Sequence, residues 1–186
     1  MSQTLTQLQS NQVARFSSRK VVQLGVFTAL ALMIHVLEAP LPRPLPWLKL
    51  GLSNIIPLVL IHLMGVGEAL VVTFLRTLLG AFILGSFLSP GFILSFCGGL
   101  MSTLMMGLAY RSLYPKLTLI GISVSGALIH NITQLLIAYW LFFQTLHLGD
   151  LSLIMLLPLL ITSAIPAGIL VGYLGSAVCL RLKEDF

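Results

Sequence analysis

Charge is scarce in this chain. Only 8% of its 186 residues are charged and 58% are hydrophobic, whereas a soluble domain carries about 25% charged residues. A soluble fold is thereby excluded, and one membrane domain with no sizeable soluble domain is expected. Acidic residues are scarcer still. The five are Glu38, Glu68, Asp150, Glu184 and Asp185, and none forms the Asp-rich cluster that would hold a magnesium diphosphate. No Gly-Lys-Ser/Thr phosphate loop is present, so the chain cannot hydrolyse ATP itself. The two cysteines, Cys97 and Cys179, both fall in apolar segments and read as packed thiols. No Cys/His spacing suggests zinc. No cofactor, metal or catalytic residue is expected. The net charge of +5 does not indicate a nucleic-acid partner, because the basic residues sit in short segments between apolar runs.

What the chain does have is long apolar runs. A bilayer core of about 30 Å needs roughly 20 apolar residues per helix. Six segments qualify: Val21–Glu38, Leu52–Met64 (short for a span), Glu68–Phe87, Phe92–Tyr110, Leu117–Phe143 and Leu151–Leu182, the last interrupted by Pro158 and Pro166. The expected fold is an all-α integral membrane protein, a bundle of six transmembrane helices. It divides into a polar tail over 1–20, a membrane domain over 21–182 and a short tail over 183–186. Residues 1–14 are expected to be disordered or to form a short interfacial helix. The basic cluster Arg15, Arg19 and Lys20 before an apolar run imitates a cleaved signal peptide. The long run, His35, Glu38 and the prolines that follow favour an uncleaved first helix.

Orientation follows from Lys and Arg asymmetry. With the N-terminus in the cytoplasm, seven basic residues lie inside: Arg15, Arg19, Lys20, Arg111, Lys116, Arg181 and Lys183. Only Arg43 and Lys49 lie outside. Both ends are therefore expected in the cytoplasm, in a multi-pass protein of a bacterial inner membrane. The first outer loop, Ala39–Gly51, carries Pro40, Pro42, Pro44 and Pro46. Proline fixes its own backbone and extends its predecessor. This stiff segment, with Trp47 at the interface, reads as a spacer or as a lid over an outward-facing cavity.

Polar residues inside the apolar segments carry the functional argument. Arg76 lies near the middle of Ala69–Leu88. A guanidinium there costs about 2.5 to 3.5 kcal/mol on insertion scales, so it faces protein or a wet cavity and marks a functional site by default. Glu38 is one conceivable ion partner, and Glu68, eight residues away, a weaker one. Helix one ends with His35 and Glu38 on one face, spaced by three. Lys49, Ser53 and Asn54 open helix two, and Ser95, Gly98, Gly99 and Ser102 open helix four. Helix five carries Ser123, Ser125, His130, Asn131 and Gln134. His130 and Gln134 share a face, with Asn131 turned about 100° away. Estimated depths put these groups in the outer half of the membrane, around one polar cavity open to the outside. Its expected lining is Arg76, Lys49, Asn54, Ser95, His130, Asn131 and Gln134, with Glu38 and His35 near the mouth. Arg76 and Lys49 outnumber Glu38, so an anionic or amide-rich small ligand fits. Small-residue pairs at four-residue spacing, Gly25/Ala29, Gly98/Ser102 and Gly168/Gly172, allow helices to approach closely in lipid. Most serve internal packing, while Gly25 and Ala29 on helix one also suit docking of another membrane subunit.

Over Val21 to Val178 the chain resembles the bacterial Gx transporter family, also labelled heptaprenyl diphosphate synthase component I. The motifs are Ile34-His35-Val36-Leu37-Glu38, Lys49-Leu50-Gly51-Leu52-Ser53-Asn54, Arg76-Thr77-Leu78-Leu79-Gly80, Ser95-Phe96-Cys97-Gly98-Gly99 with Ser102, and Gly121-Ile122-Ser123 through Gly126-Ala127 to His130-Asn131 and Gln134. That family is similar to the S components of energy-coupling factor transporters, six-helix proteins that bind a vitamin-like ligand from outside. The resemblance implies a transmembrane coupling subunit and ATPases as partners, the first outer loop as gate, and Gly25 and Ala29 as part of the docking face. The synthase label implies instead a link to isoprenoid metabolism and a prenyl synthase partner.

Overall fold

The computed structural model describes the backbone of residues 2–40, 51–143 and 151–184, and side chains within 18–40, 51–141 and 162–182 and at 158. Among the described residues, helices joined by short turns are the only regular structure. Helix α1 spans Ser2–Glu38. A short 3₁₀ turn, Leu52–Asn54, leads into α2, Ile55–Leu63. Then come α3 (Val66–Ile83), α4 (Pro90–Leu113) and α5 (Leu119–Ala138), which continues as a π-helical turn over Tyr139–Phe143. Helix α6 spans Leu151–Glu184. Five stretches are long and apolar enough to cross a membrane: Ser18–Glu38, Val66–Ile83, Pro90–Leu113, Leu119–Leu141 and Thr162–Leu182. The chain is an all-α membrane bundle.

Local chemistry sets several boundaries. Ser89 caps α4 by accepting from the Phe92 N–H at 3.2 Å, with Pro90 in the first turn, where its missing N–H is harmless. Thr118 caps α5 in the same way, accepting from the Gly121 N–H. Two expectations change. The first residues are not a separate element: α1 is continuous from Ser2. Pro158 and Pro166 do not break α6 into pieces, and the helix runs through both.

The arrangement centres on α2. Helices α1, α3, α4, α5 and α6 pack in that order, each on the next, and α2 touches α3, α4 and α6 as well as α1. Its residues Leu58, Val59 and Leu60 are fully buried. A helix that is apolar all round belongs inside, and the sequence Ile55–Leu63 has that character. The other helices turn Phe82, Ile83, Leu108 and Tyr173 outward, as a lipid-facing surface requires. Nine residues rise about 14 Å, half of a bilayer core. The centre of the bundle is thus filled by helix over half its depth, and the turn that opens α2 ends in the interior.

Helices α5 and α6 make the closest approach. A Cβ on Gly168 would lie 2.6 Å from Val124 Cα, and one on Gly172 would lie 2.5 Å from Ile120 Cα. No side chain fits at either place, which is how small-residue pairs hold helices together in lipid.

Candidate functional site

Helices α2 and α3 are joined at Gly65, whose φ of 121° is open to glycine and strained for other residues. Asn54 and Arg76 each lie eleven residues from it. Antiparallel helices of equal rise bring such residues to one depth, about 16 Å from the turn. Asn54 was expected at the outer end of its helix. The shortness of α2 brings it down to Arg76 instead.

Arg76 is 3% exposed. Its Nη2 donates to Asn54 Oδ1 at 2.6 Å. Among the described residues its Nε and Nη1 have no acceptor. Among the described residues no carboxylate lies within salt-bridge distance of it, although the charge of Glu38 is within Coulombic range. Threonines brace the surrounding backbone. Thr77 Oγ1 donates to the Thr73 carbonyl at 2.8 Å, the Thr73 and Thr103 hydroxyls share a 2.9 Å bond, and Thr103 Oγ1 donates to the Gly99 carbonyl at 2.9 Å. Gly99 gives the guanidinium room against α4: a Cβ there would sit 3.7 Å from Nη2.

Glu38 does not pair directly with Arg76. Its carboxylate accepts from the backbone N–H groups of Gly51, Leu52 and Ser53, the last two at 3.3 and 3.5 Å. These are the unsatisfied donors at the start of the 3₁₀ turn and α2. A carboxylate there offsets the positive end of the helix dipole. Glu38 is a cap for the central helix, supplied by α1.

Across α4, the site continues on α5. A Cβ on Gly98 would lie 3.1 Å from both Gln134 Cγ and His130 Cε1. Gly98 and Gly99 therefore seat α5 polar groups and Arg76 on neighbouring faces of one helix. Asn131 Nδ2 donates to Ser163 Oγ of α6 at 3.3 Å. A cavity of about 20 Å³ lies among Asn54, Ser102, Ser123, His130 and Asn131, room for about one water. Ser102 is fully buried and Gln134 is 1% exposed. Among the described residues neither the Ser102 hydroxyl nor Gln134 Oε1 has a hydrogen-bond partner.

The structure thus brings Arg76, Asn54, His130, Asn131 and Gln134 together. Lys49 and the prolines from Pro42 to Pro46 lie outside the described residues. His35 and Ser95 are buried but do not line the cavity. His35 packs on Gly80, where a Cβ would lie 2.6 Å from its Cδ2. Glu68 pairs with Lys20 of α1 and is no partner for Arg76. Gly25 has nothing within 4 Å above its missing Cβ. With Ala29 it lines a groove of about 430 Å³ between α1 and α3 on the outside of the bundle. Instead of a wide cavity open at the mouth, Asn54, His130 and Asn131 line a space for about one water, and Arg76 and Gln134 lie outside its lining. Ser102 and Ser123 were not expected to line it. Each lies seven residues before or after another site residue on its helix, Ser95 and His130 respectively, and that spacing repeats a helix face.

A family model described as heptaprenyl diphosphate synthase component I matches residues 27–178. The chain belongs to this family, which associates it with heptaprenyl diphosphate synthesis at a membrane. No curated protein and no solved structure matches the chain.

Proposed function

We propose that this member of the family is a membrane-embedded, solute-binding subunit of the S-component type. It serves uptake of a small anionic or amide-rich solute, with energy from a transmembrane coupling subunit and ATPases. The observation that carries the reading is Arg76, buried at the inner end of a half-length central helix with two nitrogens unpartnered. A structural ion pair would place a carboxylate on it. A buried charge without one is costly, and a site shaped for an anionic guest explains why it is kept.

In this reading Arg76, Asn54, His130, Asn131 and Gln134 hold the solute, joined by Lys49 from the adjoining loop. Ser95, His35 and Glu38 support them. Both termini face the cytoplasm, so solute enters from the Glu38 end, beneath the proline-rich loop. The 20 Å³ cavity belongs to a closed state, and loading requires the Gly51–Asn54 turn to move.

The family description favours a second reading, a non-catalytic membrane subunit that recruits or assists a polyprenyl diphosphate synthase. The absence of an Asp-rich motif from the sequence keeps the chemistry on the partner in that case. Gentle extraction followed by native mass spectrometry separates the two. A retained small molecule with a coupling subunit and ATPases is the expected result. A soluble prenyl synthase and no small molecule would overturn the uptake reading in favour of the second.

A further inference from the structure

We propose, resting on the solute-binding reading above, that the group Arg76 receives is the carboxylate of a small organic monoacid. A guanidinium carries five N–H donors in a planar fork. Nη2 contributes one to each of two edges, paired with Nε on one and with Nη1 on the other. Asn54 Oδ1 takes a single Nη2 proton, and Nε and Nη1 have no partner. Whichever edge Asn54 occupies, the other remains whole. A whole edge presents two parallel donors, the match for the two oxygens of one carboxylate. A primary amide offers only one oxygen there and turns its own N–H toward a donor.

At the Arg76 fork, taken apart from Lys49, the charge of the described residues favours a guest group of one negative unit. The locus holds Arg76, the positive end of α2 and the Glu38 carboxylate that caps it. The helix end counts for about half a charge, so the three together are slightly positive. One anion reverses that balance by a fraction of a charge, and a dianion would overfill it. Nearby, Gln134 Oε1 of α5 and Ser102 Oγ of α4 lack partners among the described residues. A hydroxyl or N–H on the body of the acid satisfies them.

The test uses the full chain in lipid nanodiscs. Thermal unfolding and titration calorimetry are run with propionate, L-lactate, their primary amides and inorganic phosphate. Both carboxylates should raise the melting temperature, lactate more than propionate, with little effect from the amides or phosphate. Arg76→Lys keeps the charge and removes the fork, and should weaken the carboxylates about tenfold or more. Asn54→Asp sets a built-in carboxylate on Arg76. It should raise the melting temperature of the unliganded protein and abolish the response to added acid, an outcome a merely structural Asn54 would not give. Amides or phosphate acting as strongly as the acids, or an undiminished response in either variant, would overturn the proposal. If no probe acts, the molecule released on denaturing gently extracted protein decides. A monocarboxylate supports the proposal. A neutral or phosphorylated compound overturns it and leaves the solute-binding reading standing, whereas an empty protein removes both.

Discussion

At one end of the bundle, Tyr110 Oη of α4 and His62 Nδ1 of α2 share a 3.1 Å hydrogen bond. The rings of Tyr110 and Tyr114 stack at 4.6 Å, and His62 meets both edge-on at 5.8 Å. At mid-depth, Arg76, Ser102 and Gln134 keep unmatched hydrogen-bonding atoms inside the protein. The same helices, α2 and α4, supply both regions. One set of polar groups is matched within the fold, as buried groups are in general. The other is matched only in part among the described residues, as the proposed solute site requires. The first should therefore contribute to stability and leave binding alone. The second should do the reverse, since groups arranged for a ligand are a burden on the empty protein.

The largest effect that can break this contrast is expected at Arg76. Arg76→Met fills similar volume without charge. Binding of the retained solute should fall at least about a hundredfold, equivalent to roughly 2.7 kcal/mol, while membrane insertion and the folded state persist. Removing a guanidinium from the membrane interior recovers about 2.5 to 3.5 kcal/mol, offset by about 1 to 2 kcal/mol for leaving Asn54 Oδ1 unpaired. The unliganded variant should thus melt no lower than the parent. Equilibrium binding and thermal unfolding in nanodiscs check both halves. A variant that loses binding only because it unfolds would show Arg76 to be a structural group.

A smaller effect sharpens the other side. Tyr110→Phe deletes the hydroxyl that meets His62 and keeps the ring stack. The expected destabilisation is about 1 kcal/mol, the usual worth of one hydrogen bond, with unchanged solute affinity. A change in affinity comparable to that of Arg76→Met would join the two regions into one functional unit.

The sequence showed the membrane class and the apolar segments, because length and hydropathy are local properties. It also showed that Arg76 had to be inside protein. What it did not show depends on tertiary register. Glu38 could be read as lining a mouth or pairing with Arg76. Only the fold of the Gly51–Asn54 turn brings three backbone N–H groups onto its carboxylate. The meeting of Asn54 and Arg76 was legible in principle from their equal distance to Gly65. It was missed because the segment, though short for a span, was counted as one of six with Asn54 at its outer end. The pair of His62 and Tyr110, 48 residues apart, left no periodic signal at all. The breadth of the cavity was overestimated, since counting polar residues says nothing about how tightly Gly98, Gly99 and Gly168 let helices close around them.

The smallest expected effect belongs to the ion pair of Lys20 and Glu68, which is also matched within the fold but sits at its margin. The Lys20 side chain is 53% exposed and that of Glu68 18%, so water competes for both charges and salt screens them. Lys20→Met should lower stability by about 0.5 kcal/mol or less, with no change in solute affinity, and the difference should shrink as ionic strength rises. A series of melting curves across salt concentrations reads it. A loss several times larger and indifferent to salt would mean that this pair locks α1 against α3. In that case α1 would not be free to shift with the Glu38 cap it carries, and movement of the Gly51–Asn54 turn would have to occur against a fixed carboxylate.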